Sequence, residues 1–99
     1  MPARISIPRQ RLAEICRRYH IRRLSLYGSV LRDDFRPDSD VDVLIEFDAG
    51  YVPGLFGMSR IERELTRAIG RRVDARTPND LSRYFRQSVI EEAEVQYAG

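Results

Sequence analysis

The chain of 99 residues has no lysine, no tryptophan, one cysteine and one histidine. A lone thiol, Cys16, excludes a disulfide framework and any site built on cysteine ligands. No apolar run approaches the ~20 residues of a membrane-spanning helix. The opening MPARISIPRQRL has no apolar stretch of the kind that directs secretion. The expectation is a cytoplasmic protein with no membrane partner. Without lysine there is also no P-loop, which needs one beside its glycines. All 17 basic residues are arginine, which reads as a compositional habit before it reads as phosphate recognition.

What is present is a chain of ordinary apolar content, 42%, long enough for one domain over residues 1–99 with a modest core. Its charge is unevenly spread. Residues 1–23 hold seven arginines and one glutamate, a local +6, and residues 33–48 hold seven acids and one arginine, a local −6. The basic third is either a solvated helix face or a surface for an acidic partner or nucleic acid. No aromatic-plus-arginine array for stacking bases accompanies it, so nucleic acid is not the expected partner.

Periodicity predicts a first helix over about 8–19, with Ser6 as cap, Pro8 in the first turn and a stripe of Leu12, Ile15, Cys16 and Tyr19. IRRLSLY (21–27) reads as a strand that Gly28 breaks, and SVLRDD from Ser29 as about one helical turn. VDVLIEF (41–47) reads as a second strand, with Val41, Val43, Ile45 and Phe47 on one face. Ser59 to Ile69 reads as a helix with Ile61, Leu65, Ala68 and Ile69 inward, ended by Gly70. RRVDART (71–77) is a third strand. A last helix is predicted from Thr77 or Asn79 to about 95, with Leu81, Tyr84, Phe85, Ile90 and Ala93 inward. The order predicts a small α/β (α+β) fold, a sheet with helices packed against it.

Asp40 and Asp42 stand two apart at the mouth of the second strand, so their side chains share a face, roughly 6–7 Å apart at Cβ. Asp74 interrupts the third strand between Val73 and Ala75 in the same way. If the two strands are neighbours, all three acids can meet. Clustered carboxylates repel and take up protons unless a cation joins them, and a pair of divalent ions resolves this. With His20 distant and no thiolate near, the ligands are all oxygen, which favours Mg²⁺, or Mn²⁺, over Zn²⁺. A calcium EF-hand is excluded, because Val43 stands where that loop needs glycine and Ala49 where it needs glutamate. Gly28 and Ser29, between strand and helix, suit an anion: glycine lets the backbone approach closely, and the helix start offers free N–H groups.

YGS (27–29), DSDVDVLIEF (38–47) and RRVDARTP (71–78) together resemble the nucleotidyltransferase superfamily that includes DNA polymerase β. The length and layout resemble its minimal nucleotidyltransferase branch, the antitoxins paired with HEPN-domain toxins. The resemblance implies a polymerase β-like fold with a small mixed sheet. It implies that Gly28 and Ser29 hold the β- and γ-phosphates of ATP, that Asp40 and Asp42 bind two Mg²⁺, and that Asp74 binds the catalytic ion and helps deprotonate the attacking hydroxyl. Arg32 is read as a further phosphate contact or as a solvated ion pair. The implied reaction transfers AMP from ATP to a tyrosine of a HEPN ribonuclease toxin. Arg76 departs from the apolar residue expected at its strand position. Other readings are an antitoxin that neutralises by binding alone, or a nucleotidyltransferase acting on RNA or a small molecule. For the binder, GYVPGLFGM (50–58) offers Tyr51, Leu55, Phe56 and Met58, unless these pack beneath the following helix.

Overall fold

The computed structural model describes residue 5, residues 7–32 and residues 35–99. The expected cap at Ser6 and the end of the short helix at residues 33–34 lie outside the described residues. Helix α1 (Arg9–Arg18) leads into strand β1 (Ile21–Tyr27), a 3₁₀ turn (Gly28–Leu31) and strand β2 (Val41–Phe47). Helix α2 (Gly54–Ile69) and strand β3 (Val73–Arg76) follow, then a 3₁₀ turn (Pro78–Asp80), helix α3 (Arg86–Glu92) and strand β4 (Glu94–Ala98).

The four strands form one mixed sheet in the order β3-β2-β1-β4. Strand β1 runs antiparallel to β2 and β4, and β2 runs parallel to β3, with α2 as the crossover. Leu24 and Leu26 of β1 lie opposite Ile45 and Val43 of β2. With Val41, Val73 and Ala75 they form the apolar face, buried against Leu12, Ile15 and Cys16 of α1 and Ile61 and Leu65 of α2. The expected stripes of both helices therefore meet the sheet as read, and Gly70 closes α2 in the left-handed region at φ 80°. Burial pushes the Cys16 thiol up to about 12, so it packs as a neutral hydrophobe.

Strand β3 is an edge, and α2 satisfies part of its open side. The Ala75 N–H donates to the Glu62 carboxylate at 2.7 Å, and the Val73 N–H to the Thr66 hydroxyl at 3.1 Å. An edge strand with these donors occupied is held in register and offers fewer groups to a foreign strand. Arg71 ties down the loop before β2, donating to the carbonyls of Arg36 at 3.3 Å and Pro37 at 3.0 Å.

Two expectations fail. Helix α2 starts at Gly54, five residues before the expected Ser59, and includes Gly57, where a Cβ would stand 2.9 Å from the Pro53 Cβ. Leu55 and Phe56 thus sit on the outer side of its first turn and are exposed, and Met58 packs on the core. The single long helix after residue 77 is absent. In its place are the 3₁₀ turn, the seven-residue α3 and strand β4. Leu81 is buried as expected, but Tyr84, Phe85 and Ile90 are exposed and Ala93 is half-buried. Asp80 accepts from the Thr77 N–H at 3.0 Å and from its hydroxyl at 3.1 Å, closing a tight turn where a helix would begin. EVQYA then gains a ladder to β1 that its helix-favouring glutamate and alanine do not announce.

Candidate active site

The apolar face of the sheet stabilises it; on the other face a charged row crosses the strands at the start of β2. Tyr27 of β1 lies opposite Asp42 of β2, and Asp42 lies opposite Asp74 of β3. Alternation dictates this. With Val41, Val43, Val73 and Ala75 buried inward, the residues between them must point to the other side. Adjacent strands are about 4.8 Å apart, so the row spans about 10 Å. Asp42 and Asp74 are partly buried, and Asp40 is exposed just before β2.

Gly28 opens the turn at the end of β1 with φ 78°, a region glycine enters without strain. It also makes room. A Cβ on Gly28 would stand 2.7 Å from the Asp42 Oδ2, so the carboxylate lies against bare backbone. Ser29, partly buried, follows in a 3₁₀ turn, not an α-helix, and the Arg32 N–H closes that turn on the Ser29 carbonyl at 2.9 Å. Arg32 is exposed and lines, with Tyr27, Gly28, Leu31, Val89 and Glu92, a cavity of about 430 Å³ on the β1 side.

Burial raises the pKa of Asp42, and the charges of Asp74 and Asp40 raise it further; Arg76 and Arg32 oppose the shift. The Tyr27 phenol is pushed up to about 12, first by burial and then by Asp42. This is the electrostatic signature of a place short of positive charge. Part of the deficit falls to Arg76, whose Nε stands 3.4 Å from the Asp74 Oδ2. Strand alternation puts Arg76 on the face that carries Asp74, so the residue that departs from the apolar expectation lies beside the acids. The carboxylates are neighbours without forming a closed cluster: among the described residues, no group of three or more His, Cys, Asp or Glu stands close enough to hold a metal ion. The donor chemistry nonetheless suits a hard divalent cation, since the acids offer only oxygen and Gly28 leaves open the ground beside Asp42.

Residues 9–96 match the family model described as a nucleotidyltransferase domain. The chain belongs to this family. The protein adenylyltransferase MntA of Thermococcus cleftensis is 30% identical over 79 residues, covering 80% of this chain and 78% of that protein. The structure of a protein described as a minimal nucleotidyltransferase matches with a TM-score of 0.70 at 33% identity, over 86% of this chain and 85% of the other. A toxin–antitoxin crystal structure with AMP-PNP matches with a TM-score of 0.73 over 94% of this chain and 75% of the other; at 16% identity, that likeness concerns the fold.

This nucleotidyltransferase also depends on residues that sequence reasoning passed over. Glu62 and Thr66 fix β3, and so the backbone that carries Asp74. Their spacing of four on α2 was visible, but nothing local said that a strand edge would lie beside them. Asp80, Leu81 and Phe85 line a cavity of about 290 Å³ with Tyr27, Asp42 and Asp74. Reading that segment as one helix hid this wall.

Proposed function

We propose that this nucleotidyltransferase is a cytoplasmic, Mg²⁺-dependent antitoxin that transfers AMP from ATP to a tyrosine hydroxyl of a partner HEPN ribonuclease toxin, and so inactivates it. The observation that carries the chemistry is Asp42, partly buried against the bare backbone of Gly28 and in one row with Asp74. The relative named protein adenylyltransferase supports AMP as the transferred group and a protein as acceptor. The likeness to toxin–antitoxin structures supports a toxin partner.

The backbone N–H groups at Gly28 and Ser29 and the Ser29 hydroxyl bind the β- and γ-phosphates, with Arg32 as a further cation on that side. Asp40, Asp42 and Asp74 would hold the divalent ions, which would neutralise the charge of the phosphates and of the transition state. Asp74 accepts the proton of the attacking phenol. A bond forms between the phenol oxygen and the α-phosphorus, the bond from that phosphorus to the β-phosphate bridging oxygen breaks, and pyrophosphate leaves on the Gly28 side.

The test is transfer of label from α-³²P-ATP, with Mg²⁺, to a purified HEPN protein encoded beside this chain. Wild type should label it, and Asp42→Asn should lower the rate by about 10²–10³-fold. Absence of label with wild type, while the two proteins still bind, would sink the enzymatic reading. A second reading, neutralisation by contact alone, is favoured by the exposed side chains of Val52, Leu55 and Phe56, which are 87–88% accessible. On that reading, Asp42→Asn protects cells as well as wild type does.

A further inference from the structure

Two cavities flank Tyr27. The one beside Gly28 and Arg32 lies at the phosphate turn, on the β1 side. The other, about 290 Å³, opens on the β3 side, where Asp74, Arg76, Leu81, Ser82 and Phe85 line it. In-line displacement puts the attacking and leaving oxygens on opposite sides of the phosphorus. With the leaving pyrophosphate held at Gly28, the attacker must arrive from the direction of Asp74, and the second cavity opens there.

The lining of this second cavity is divided between two kinds of side chain: the charged Asp42, Asp74, Asp80 and Arg76, of which Asp74 and Arg76 pair at 3.4 Å, and the apolar Leu81 and Phe85. A phenol has the same division: a hydroxyl that wants polar partners and a ring that wants apolar contact. The apolar wall is held from behind, since Arg86 donates from Nη2 to the Leu81 carbonyl at 3.0 Å, and the Thr77–Asp80 turn fixes the segment that leads to it. Leu81 is buried, but Phe85 is about half exposed. The wall is therefore open at its rim, so that a side chain projecting from a folded partner can enter.

We propose that this cavity is the acceptor subsite: it takes a tyrosine side chain of the partner protein, with the ring against Leu81 and Phe85 and the hydroxyl at Asp74. The inference rests on the proposed AMP transfer and adds its acceptor contacts. A purine base is the competing occupant, since Phe85 would also stack one. Attack geometry favours the phenol, because whatever fills this cavity stands beside the group that takes the proton.

The experiment is steady-state kinetics of α-³²P-ATP transfer to the HEPN partner, with each substrate varied in turn, for wild type, Phe85→Ala and Phe85→Leu. Phe85→Ala should raise KM for the partner about tenfold and leave KM for ATP unchanged. Phe85→Leu, which keeps apolar area, should recover much of the loss. A rise confined to KM for ATP would assign the cavity to the base and overturn the proposal, and no change in either constant would overturn it as well. If wild type transfers no AMP to the partner, the proposed reaction itself fails and the subsite with it. Circular dichroism of the variants should match wild type, because Phe85 is not in the core.

Discussion

On the helix-covered face of β2, Val41, Val43 and Ile45 are fully buried among apolar side chains of both helices. One residue along the same strand, on the opposite face, Asp42 lies between Tyr27 and Asp74, with its pKa raised by burial and like charge. The two faces share a backbone and differ only in what alternation assigned to them. The first is satisfied by contact within the chain. The second is left short of positive charge, and Arg76 supplies only some of it. A fold can tolerate such a deficit where a ligand removes it, which is why the deficit marks the candidate site.

The comparison breaks most sharply if stability and activity fail to separate. Leu65→Ala, on the buried face, should cost about 2–5 kcal/mol and lower Tm by roughly ten degrees or more. It should leave the transfer rate per folded molecule nearly intact, as measured by thermal melts beside the labelling assay. Asp74→Ala should do the reverse: little change in Tm and a loss of activity of about 10²-fold or more. If Asp74→Ala melts like Leu65→Ala, the charged row is part of the scaffold and the distinction is wrong.

Gly28→Ala sits on the boundary between the two faces. Its Cβ would clash with the Asp42 Oδ2 and must adopt φ 78°, so the change should cost about 1–3 kcal/mol and also impair transfer. Urea melts together with nucleotide-binding measurements would check both losses. Binding at wild-type strength would show that the close approach at Gly28 does nothing for phosphates.

The smallest effect is a pH dependence. Folding raises the Asp42 pKa above its ordinary value of 3.8, so the folded state holds that proton more tightly. The resulting stability is fully present below 3.8 and is lost as pH rises through the folded value. In EDTA, Asp42→Asn should therefore raise Tm at pH 7, with the gain shrinking toward pH 4. A gain independent of pH would show that the asparagine stabilises by some means other than removing the charge.

Much of this was legible locally. The stripe of α1, the alternation in β2, the Gly70 stop and the break at Gly28 each follow from a few adjacent residues, and the structure keeps all four. The segment after Thr77 was not legible. TPNDLSRYFRQSVIEEAEVQYA carries helix-favouring glutamate and alanine, but its last five residues are claimed by β1, a partner some seventy residues away in sequence. Phe85, read as core, is about half exposed for the same reason: the long helix that would have turned it inward does not form. Gly54 and Gly57 hid the start of α2 because glycine ordinarily signals a turn; Gly57 lies inside the helix, where a Cβ would stand 2.9 Å from the Pro53 Cβ.

The sequence by itself determined which residues carry charge against an apolar strand, and therefore that Asp42 and Asp74 would be expensive to bury. It also determined that Gly28 and Ser29 stand where a strand gives way to a turn. Only the tertiary structure decided that β3 pairs with β2 in the register that sets Asp42 opposite Asp74, and that Glu62 and Thr66 hold it there. It alone made the chain's last strand the partner of β1. Local propensity acts on neighbours in sequence, whereas register and strand order are fixed by hydrogen bonds and burial between segments that meet only once the chain is folded.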